Sequence, residues 1–312
     1  MRVAVIGAGA MGSIVSYLLS AEHEVVLFEN RRDRVEEVSN NGVRLQGALD
    51  GQAFVAIESK PQPAEPFDFI ILAFSAAFTV EGLRPLSPFV HRDTVYVSFQ
   101  EGSAIEELAK VVGGDRAAAC LSEVSAIEAD GGEVEVEELK SFLLLGYRTE
   151  AALRFEPFIS AMTAACPGNT TTSEDLTEAI LKRLQSVAPV SALCAITGGV
   201  PEEIRAIDEI DSLCLEAAAE FGEVPVAPWD DAVWKRIKPS MLRDIEAGMK
   251  TEIDYLGGWI VSRAAAAGKR VPVSSALVSM VKEIESGRME PGRQALNELR
   301  RRIEEEKRMS LY

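Results

Sequence analysis

Along the first half of the chain, short apolar and β-branched runs alternate with longer stretches in which apolar residues return every three or four positions. Residues 2–6 (Arg-Val-Ala-Val-Ile) and 24–28 (Glu-Val-Val-Leu-Phe) read as buried strands, and 10–19 between them as a helix. The runs 67–74 and 94–99 predict two further buried strands, and 104–112 another helix. Residues 133–137 alternate Glu with Val, the period of a half-exposed strand, and 142–146 form an unbroken apolar one. Strands that alternate with helices predict an α/β domain built on a doubly wound, mainly parallel sheet.

The pattern changes at the polar stretch 168–173 (Gly-Asn-Thr-Thr-Thr-Ser), which reads as a linker. This divides the chain into domains 1–168 and 169–312, the second all-helical. Ser173 or Asp175 is placed to cap a helix running through Leu193. Pro201-Glu202-Glu203 opens another, with proline and acids in its first turn; it, or a successor from Asp208, runs to 221–222. A third helix is expected over 229–247. Thr251 and Asp254 form a predicted capping box for a fourth, which stops at 268–272. The densely charged tail 299–308 reads as a solvated helix.

Between the first two strands lies Gly7-Ala8-Gly9-Ala10-Met11-Gly12, a GxGxxG turn in the strand, turn, helix, strand context that dinucleotide binding requires. The first glycine permits the tight turn, the second lets backbone approach a pyrophosphate, and the third lets the helix pack against the strand. The pyrophosphate would rest on the amides of the helix N-terminus. The fold expected is therefore an N-terminal Rossmann-type doubly wound parallel sheet with an all-helical C-terminal domain. Glu29, 22 positions after Gly7, ends the second strand. A carboxylate there accepts both ribose hydroxyls of NAD and repels the 2′-phosphate of NADP. Asn30-Arg31-Arg32 follows, and Arg31 could swing onto such a phosphate; alternatively both arginines begin a solvated helix.

A length of 312 residues fits two domains. The 49 Asp and Glu outnumber the 32 Lys and Arg, and a net charge of −17 argues against nucleic acid and anionic membranes as partners. The N-terminal apolar run is broken by glycines and reads as a strand rather than a signal peptide. The four cysteines are scattered in apolar surroundings and read as buried thiols, so no metal site is predicted and a cytoplasmic location is expected. Both histidines, His23 and His91, fall in the first third of the chain. A His acid in the second domain is thereby rejected, and none of the five tyrosines has Lys four positions later. The proton that must accompany hydride transfer therefore comes from a Lys, a bound water or a less usual group.

The most distinctive stretch is Ser240-Met241-Leu242-Arg243-Asp244, followed by Thr251-Glu252-Ile253-Asp254-Tyr255 and Gly258. It resembles the SMLQD…TEIDY…G signature of the ketopantoate reductase (2-dehydropantoate 2-reductase) family, and the interval of 12 residues from Ser240 to Glu252 agrees as well. The resemblance implies a cytoplasmic NAD(P)H-dependent reductase of a small 2-oxo acid, ketopantoate first among them. It further implies that Ser240 binds substrate and that Glu252 organises the catalytic site. Asp244 is read as a fixed structural neighbour. A homodimer is compatible with the resemblance.

The departures carry as much information. The family's catalytic Lys opens a KLxxNxxxNPL pattern; here that position is Arg183, with Lys182 beside it, and the two Asn positions are Val187 and Ser191. Arginine does not readily release a proton, so Arg183 would neutralise the substrate carboxylate or replace the Lys, and Lys182 is the alternative acid. Adjacent helical positions point about 100° apart, so Lys182 would need a local distortion, for which Pro189 is the candidate. The family's Asn-Gly after its fifth strand is Gln100-Glu101-Gly102, which puts Glu101 on the substrate side. The basic positions that grip a 2′-phosphate are read as Asn30 and Ser75. NAD is thus favoured over NADP. Two further readings stay open: a related dehydrogenase of another 2-hydroxy acid, and a dinucleotide-binding regulator without catalysis.

Overall fold

Strand β1 (Arg2–Ile6) is central because its side chains are apolar on both faces, and it is bordered by parallel strands β2 (Glu24–Phe28) and β6 (Phe67–Leu72). The computed structural model describes residues 1–62, 65–129, 131–173, 175–220, 222 and 238–309, and the chain divides into two compact units, Met1–Leu176 and Thr177–Tyr312.

In the first unit, helix α1 (Ala10–Ser20) joins β1 to β2, and α2 (Arg32–Asn41) follows β2. Short strands β3 (Val43–Gly47), β4 (Gly51–Ala53) and β5 (Ala56–Glu58) precede β6, and α3 (Thr79–Leu83) leads to β7 (Val90–Ser98). Helix α4 (Ala104–Val112) connects to β8 (Ala117–Glu128), β9 (Val134–Gly146), α5 (Thr149–Ala165) and β10 (Thr170–Thr172). The ten described strands form one sheet in the order β4-β3-β9-β8-β7-β6-β1-β2-β5, with β10 beside β9. From β8 through β7, β6, β1 and β2 to β5 every pairing is parallel; β8 with β9 and β3 with β4 are antiparallel.

Two sequence expectations change here. The stretches 133–137 and 142–146 belong to one strand, β9. The polar residues between them do not break it, because β8 pairs along its full length with two register shifts. Residues 170–172, read as linker, pair in parallel with Phe142–Leu144 as β10. Their threonines suit a pleated edge.

The core of this unit lies between the sheet and the helices α1 and α5. Val3, Val5, Phe69, Val97 and Phe142 meet Ile14, Val15, Phe155, Phe158 and Met162. Phe155 and Phe158 stack at 5.2 Å, and Phe158 leans on Phe69 at 5.4 Å.

The described part of the second unit is helical. Helix α6 (Leu176–Thr197) continues through Pro189 and is buried over most of its C-terminal half. It is long and apolar enough to cross a membrane, but most of that length is packed inside the chain. After it come α7 (Pro201–Ile204), α8 (Ile210–Ala219), α9 (Ser240–Glu246), α10 (Gly257–Ala266), α11 (Pro272–Glu285) and α12 (Arg293–Met309). Residues 229–237 of the helix expected over 229–247 lie outside the described residues, as does 221. The Glu220 carboxylate accepts the first amides of α11, from Val273 at 2.7 Å and Ser274 at 2.9 Å. Those amides have no partner within the helix, so the side chain caps it across space. The charged tail is amphipathic rather than solvated all round: Ala295, Leu296, Leu299 and Ile303 are buried on the face of α12 that meets α11.

Because Phe158 is fully buried between two aromatic rings, Phe158→Ala is expected to lower unfolding free energy by about 3–5 kcal/mol, read from urea denaturation midpoints.

Candidate functional site

The carboxyl ends of β1, β2 and β6 converge where the chain's path across the sheet reverses direction, between β1 and β6. In open α/β sheets that reversal opens a crevice. Here it holds a cavity of about 490 Å³ lined by Gly7 and Gly9, by Phe28, Glu29 and Asn30, and by Ala73 and Phe74.

The three glycines differ in what surrounds them. Gly7 has φ +97°, and a Cβ there would stand 2.6 Å from the Ala73 carbonyl oxygen. A Cβ on Gly12 would stand 1.8 Å from the Gly7 carbonyl oxygen, so the first turn of α1 lies directly on the strand end. At Gly9 a Cβ would meet nothing within 4 Å. Two glycines are therefore required by the protein's own backbone, while Gly9 faces open space in the cavity. Ala8, Ala10 and Met11 complete the turn and begin the helix. Gly9 is the N-cap of α1 with no side-chain cap, and the first turn contains no acid. Its amides have no acceptor within the helix and suit an anion. These features fit the pyrophosphate of a dinucleotide.

Glu29 is nearly buried and fully engaged. One carboxylate oxygen accepts the Ala8 amide at 3.0 Å and the Arg31 guanidinium at 3.1 Å; the other accepts the amides of Asn30 at 2.9 Å and Arg31 at 3.0 Å. Burial works to raise its pKa, but the bonds from Arg31 and Ala8 outweigh it and hold the carboxyl below its usual range. Arg31 is the N-cap of α2 and makes a two-pronged pair with Glu128 at the end of β8, both contacts at 3.0 Å. It stands exposed at the start of α2, with Arg32 after it, and is at the same time held by two carboxylates.

Sequence reasoning missed Arg34. It is buried, donating to the Ala8 carbonyl at 2.8 Å and the Ser13 hydroxyl at 2.9 Å, and it also contacts Glu37 and the Gly132 carbonyl. The signal was its spacing: Arg34 and Val38 are the buried positions of α2, one turn apart.

Ser75 follows Phe74 at the cavity edge, its hydroxyl buried without a hydrogen-bond partner in the described chain. Beyond β7, Gln100 is buried and donates to the Phe74 carbonyl at 3.0 Å, joining two strand ends; Glu101 beside it is half-buried.

In the second unit, Arg183 is half-buried on α6, and the buried Val187 and Ser191 follow it at one-turn spacing on the same face. Lys182 is 66% exposed and pairs with Glu178 at 2.7 Å. The helix is unbroken at Pro189, so no register shift brings Lys182 onto the Arg183 face. Ser240 opens α9 and is exposed, and Asp244 one turn on is half-buried.

Glu252 is buried, but the expected capping box is absent. Helix α10 begins only at Gly257; residues 251–256 form a turn in which the Glu252 carbonyl accepts the amides of Tyr255 and Leu256. Thr251 Oγ1 accepts the Ile253 amide at 3.2 Å, and the Thr251 amide donates to Glu285. Asp254 pairs with Lys282 instead of reaching back. The reciprocal bond is lost because α11 supplies both partners. Among the described residues no cluster of three or more His, Cys, Asp or Glu side chains is placed to hold a metal, and all four cysteines are buried and free.

Known proteins resemble the chain along most of its length. Residues 3–149 match the family model described as ketopantoate reductase PanE/ApbA, and residues 175–285 match the model of that family's C-terminal domain. A 2-dehydropantoate 2-reductase from Pyrococcus abyssi is 26% identical over 298 residues, spanning 90% of this chain and 97% of that one. Among solved structures, a PanE/ApbA family ketopantoate reductase from Ralstonia eutropha superposes with a TM-score of 0.77 at 24% identity, covering 92% of this chain and 99% of its own. A D-mandelate dehydrogenase in complex with NADH and anilino(oxo)acetate superposes at 0.80 with 20% identity and the same coverage.

The contrast among the glycines predicts two outcomes. Gly9→Val costs about 1 kcal/mol of stability, as a poorer N-cap, yet weakens dinucleotide binding more than about tenfold. Gly12→Ala destabilises the fold itself by about 3 kcal/mol or more. Thermal unfolding and fluorescence titration with NADH separate the two. Asp244 gives a pH signature. Burial lifts its pKa from 3.8 to about 6, with Arg243 opposing and Glu285 adding to the shift. A raised folded-state pKa contributes stability that is complete below about pH 4 and is lost as pH rises through about 6. Asp244→Asn should therefore gain on the wild type across that interval, measured as the difference in urea midpoints from pH 4 to 7.

Proposed function

The chain belongs to the ketopantoate reductase family, nicotinamide-dinucleotide-dependent oxidoreductases that act on a CH–OH group, and on that premise we propose that it reduces a small 2-oxo acid with NADH, ketopantoate being the first candidate. The observation that carries the reading is the cradle at Gly9. It is open where a pyrophosphate needs room and closed by backbone at Gly7 and Gly12.

Gly7–Gly12 would hold the pyrophosphate, and Glu29 would face the adenosine ribose, with Asn30 and Ser75 near it. When bound, a reduced nicotinamide supplies hydride to the substrate's keto carbon. The chain's own residues then have distinct tasks. Arg183 keeps its charge at any working pH and serves the substrate carboxylate rather than proton transfer. Lys182, exposed and paired with Glu178, is poorly placed to act as the acid. Ser240, exposed at the start of α9, offers a hydroxyl to substrate. Glu252, buried in a turn, orients the groups around it. A bound water is left as the proton donor.

NADH is preferred because the carboxylate at Glu29 opposes a 2′-phosphate and the nearby Arg31 is already committed to Glu29 and Glu128. One observation favours a neighbouring substrate. Val187 and Ser191 replace two amides with smaller or apolar groups on the Arg183 face, which suits a less polar 2-oxo acid. The mandelate dehydrogenase likeness is consistent with that.

Initial rates of NADH and NADPH oxidation with ketopantoate, and then with aromatic and branched 2-oxo acids, test the reading. Turnover favouring NADH supports it. Tight NADH binding with no turnover across the panel would establish the non-catalytic reading instead. Arg183→Met is expected to reduce turnover by about 100-fold, whereas Lys182→Met leaves it near the wild-type value; the reverse result assigns the acid to Lys182.

A further inference from the structure

We propose that Glu128 sets the dinucleotide selectivity of this chain by holding Arg31 away from the 2′ position of the adenosine ribose. The inference rests on the cofactor site proposed above and concerns a residue outside the glycine turn. Glu128 is the last residue of β8, a strand in the half of the sheet away from β2, yet its carboxylate reaches the N-cap of α2.

The geometry makes Glu128 a latch. Both of its oxygens engage Arg31 at 3.0 Å, in the two-pronged form that fixes a guanidinium's orientation as well as its charge. Arg31 also reaches Glu29 at 3.1 Å, so it bridges the ribose-side carboxylate to the end of β8. The Arg31 side chain is 44% exposed and stands next to the residue that would meet the ribose. Released from Glu128, it is the cation best placed to meet a 2′-phosphate, which carries more negative charge than the single carboxylate it leaves. The other arginine near Glu128 is not free to take this part. Arg34 lies 3.8 Å from Glu128 but is buried and anchored to Ala8, Ser13, Glu37 and Gly132. Loss of the Glu128 charge therefore leaves the glycine turn supported and changes the freedom of Arg31.

Glu128→Gln preserves shape and removes the charge. Dissociation constants for NADH and NADPH, measured by dihydronicotinamide fluorescence on the full chain, read the effect without relying on turnover. Glu128→Gln should tighten NADPH by about tenfold and leave NADH within about twofold, which also shows that the variant is folded. In Arg31→Ala/Glu128→Gln the gain for NADPH disappears. A gain that persists without Arg31 would mean that Glu128 acts only as a nearby negative charge, and it overturns the latch. So does an unchanged NADPH affinity in Glu128→Gln while NADH still binds. Failure of the wild type to bind either dinucleotide would be a different result: it removes the cofactor site and the latch together.

Discussion

The carbonyl of Gly7 and the first turn of α1 occupy space that leaves no room for a single methyl group between them. This contact fixes where α1 starts relative to β1, and hence where its unpaired amides point. Everything assigned to the cofactor follows from it. The cavity lies at the ends of β1, β2 and β6 because those parallel strands deliver their turns to one edge. Gly9 remains open because Gly7 and Gly12 have already taken up the backbone's close approach.

A buried positive charge holds that turn from behind. Arg34 would be costly in an apolar interior if left alone. Its hydrogen bonds to the Ala8 carbonyl and Ser13 hydroxyl, with Glu37 beside it, convert that cost into a fixed geometry for the glycine turn. In front of the turn, Glu29, Arg31 and Glu128 form a second charged chain, partly open to solvent. One arginine thus serves the fold and another, three residues away, can serve selectivity. The difference lies in how many fixed acceptors each one meets.

The second unit shows the same economy with different parts. The Glu252 turn is held from α11 through Glu285, and the start of α11 is in turn capped by Glu220 from the end of α8. Side chains distant in sequence satisfy backbone groups that a local capping box would otherwise serve. Glu252 lies buried in the turn that these contacts hold.

Much of this was legible in one dimension. The alternation of strand and helix, the glycine spacing, Glu29, and the blocks around Ser240 and Glu252 are local patterns set by periodicity and turn chemistry, so the sequence determined the fold class and the family. Lys182 and Arg183 differ by one position, and helical geometry alone already separated their directions. What it did not determine depends on partners far along the chain. The β8–β9 pairing that merges two apparent strands, the capture of Thr251 by Glu285, the burial of Arg34 and the reach of Glu128 to Arg31 were all decided by tertiary structure. Each is a polar group choosing among several chemically equivalent partners. Only the folded backbone, by setting distance and excluding water, selects one.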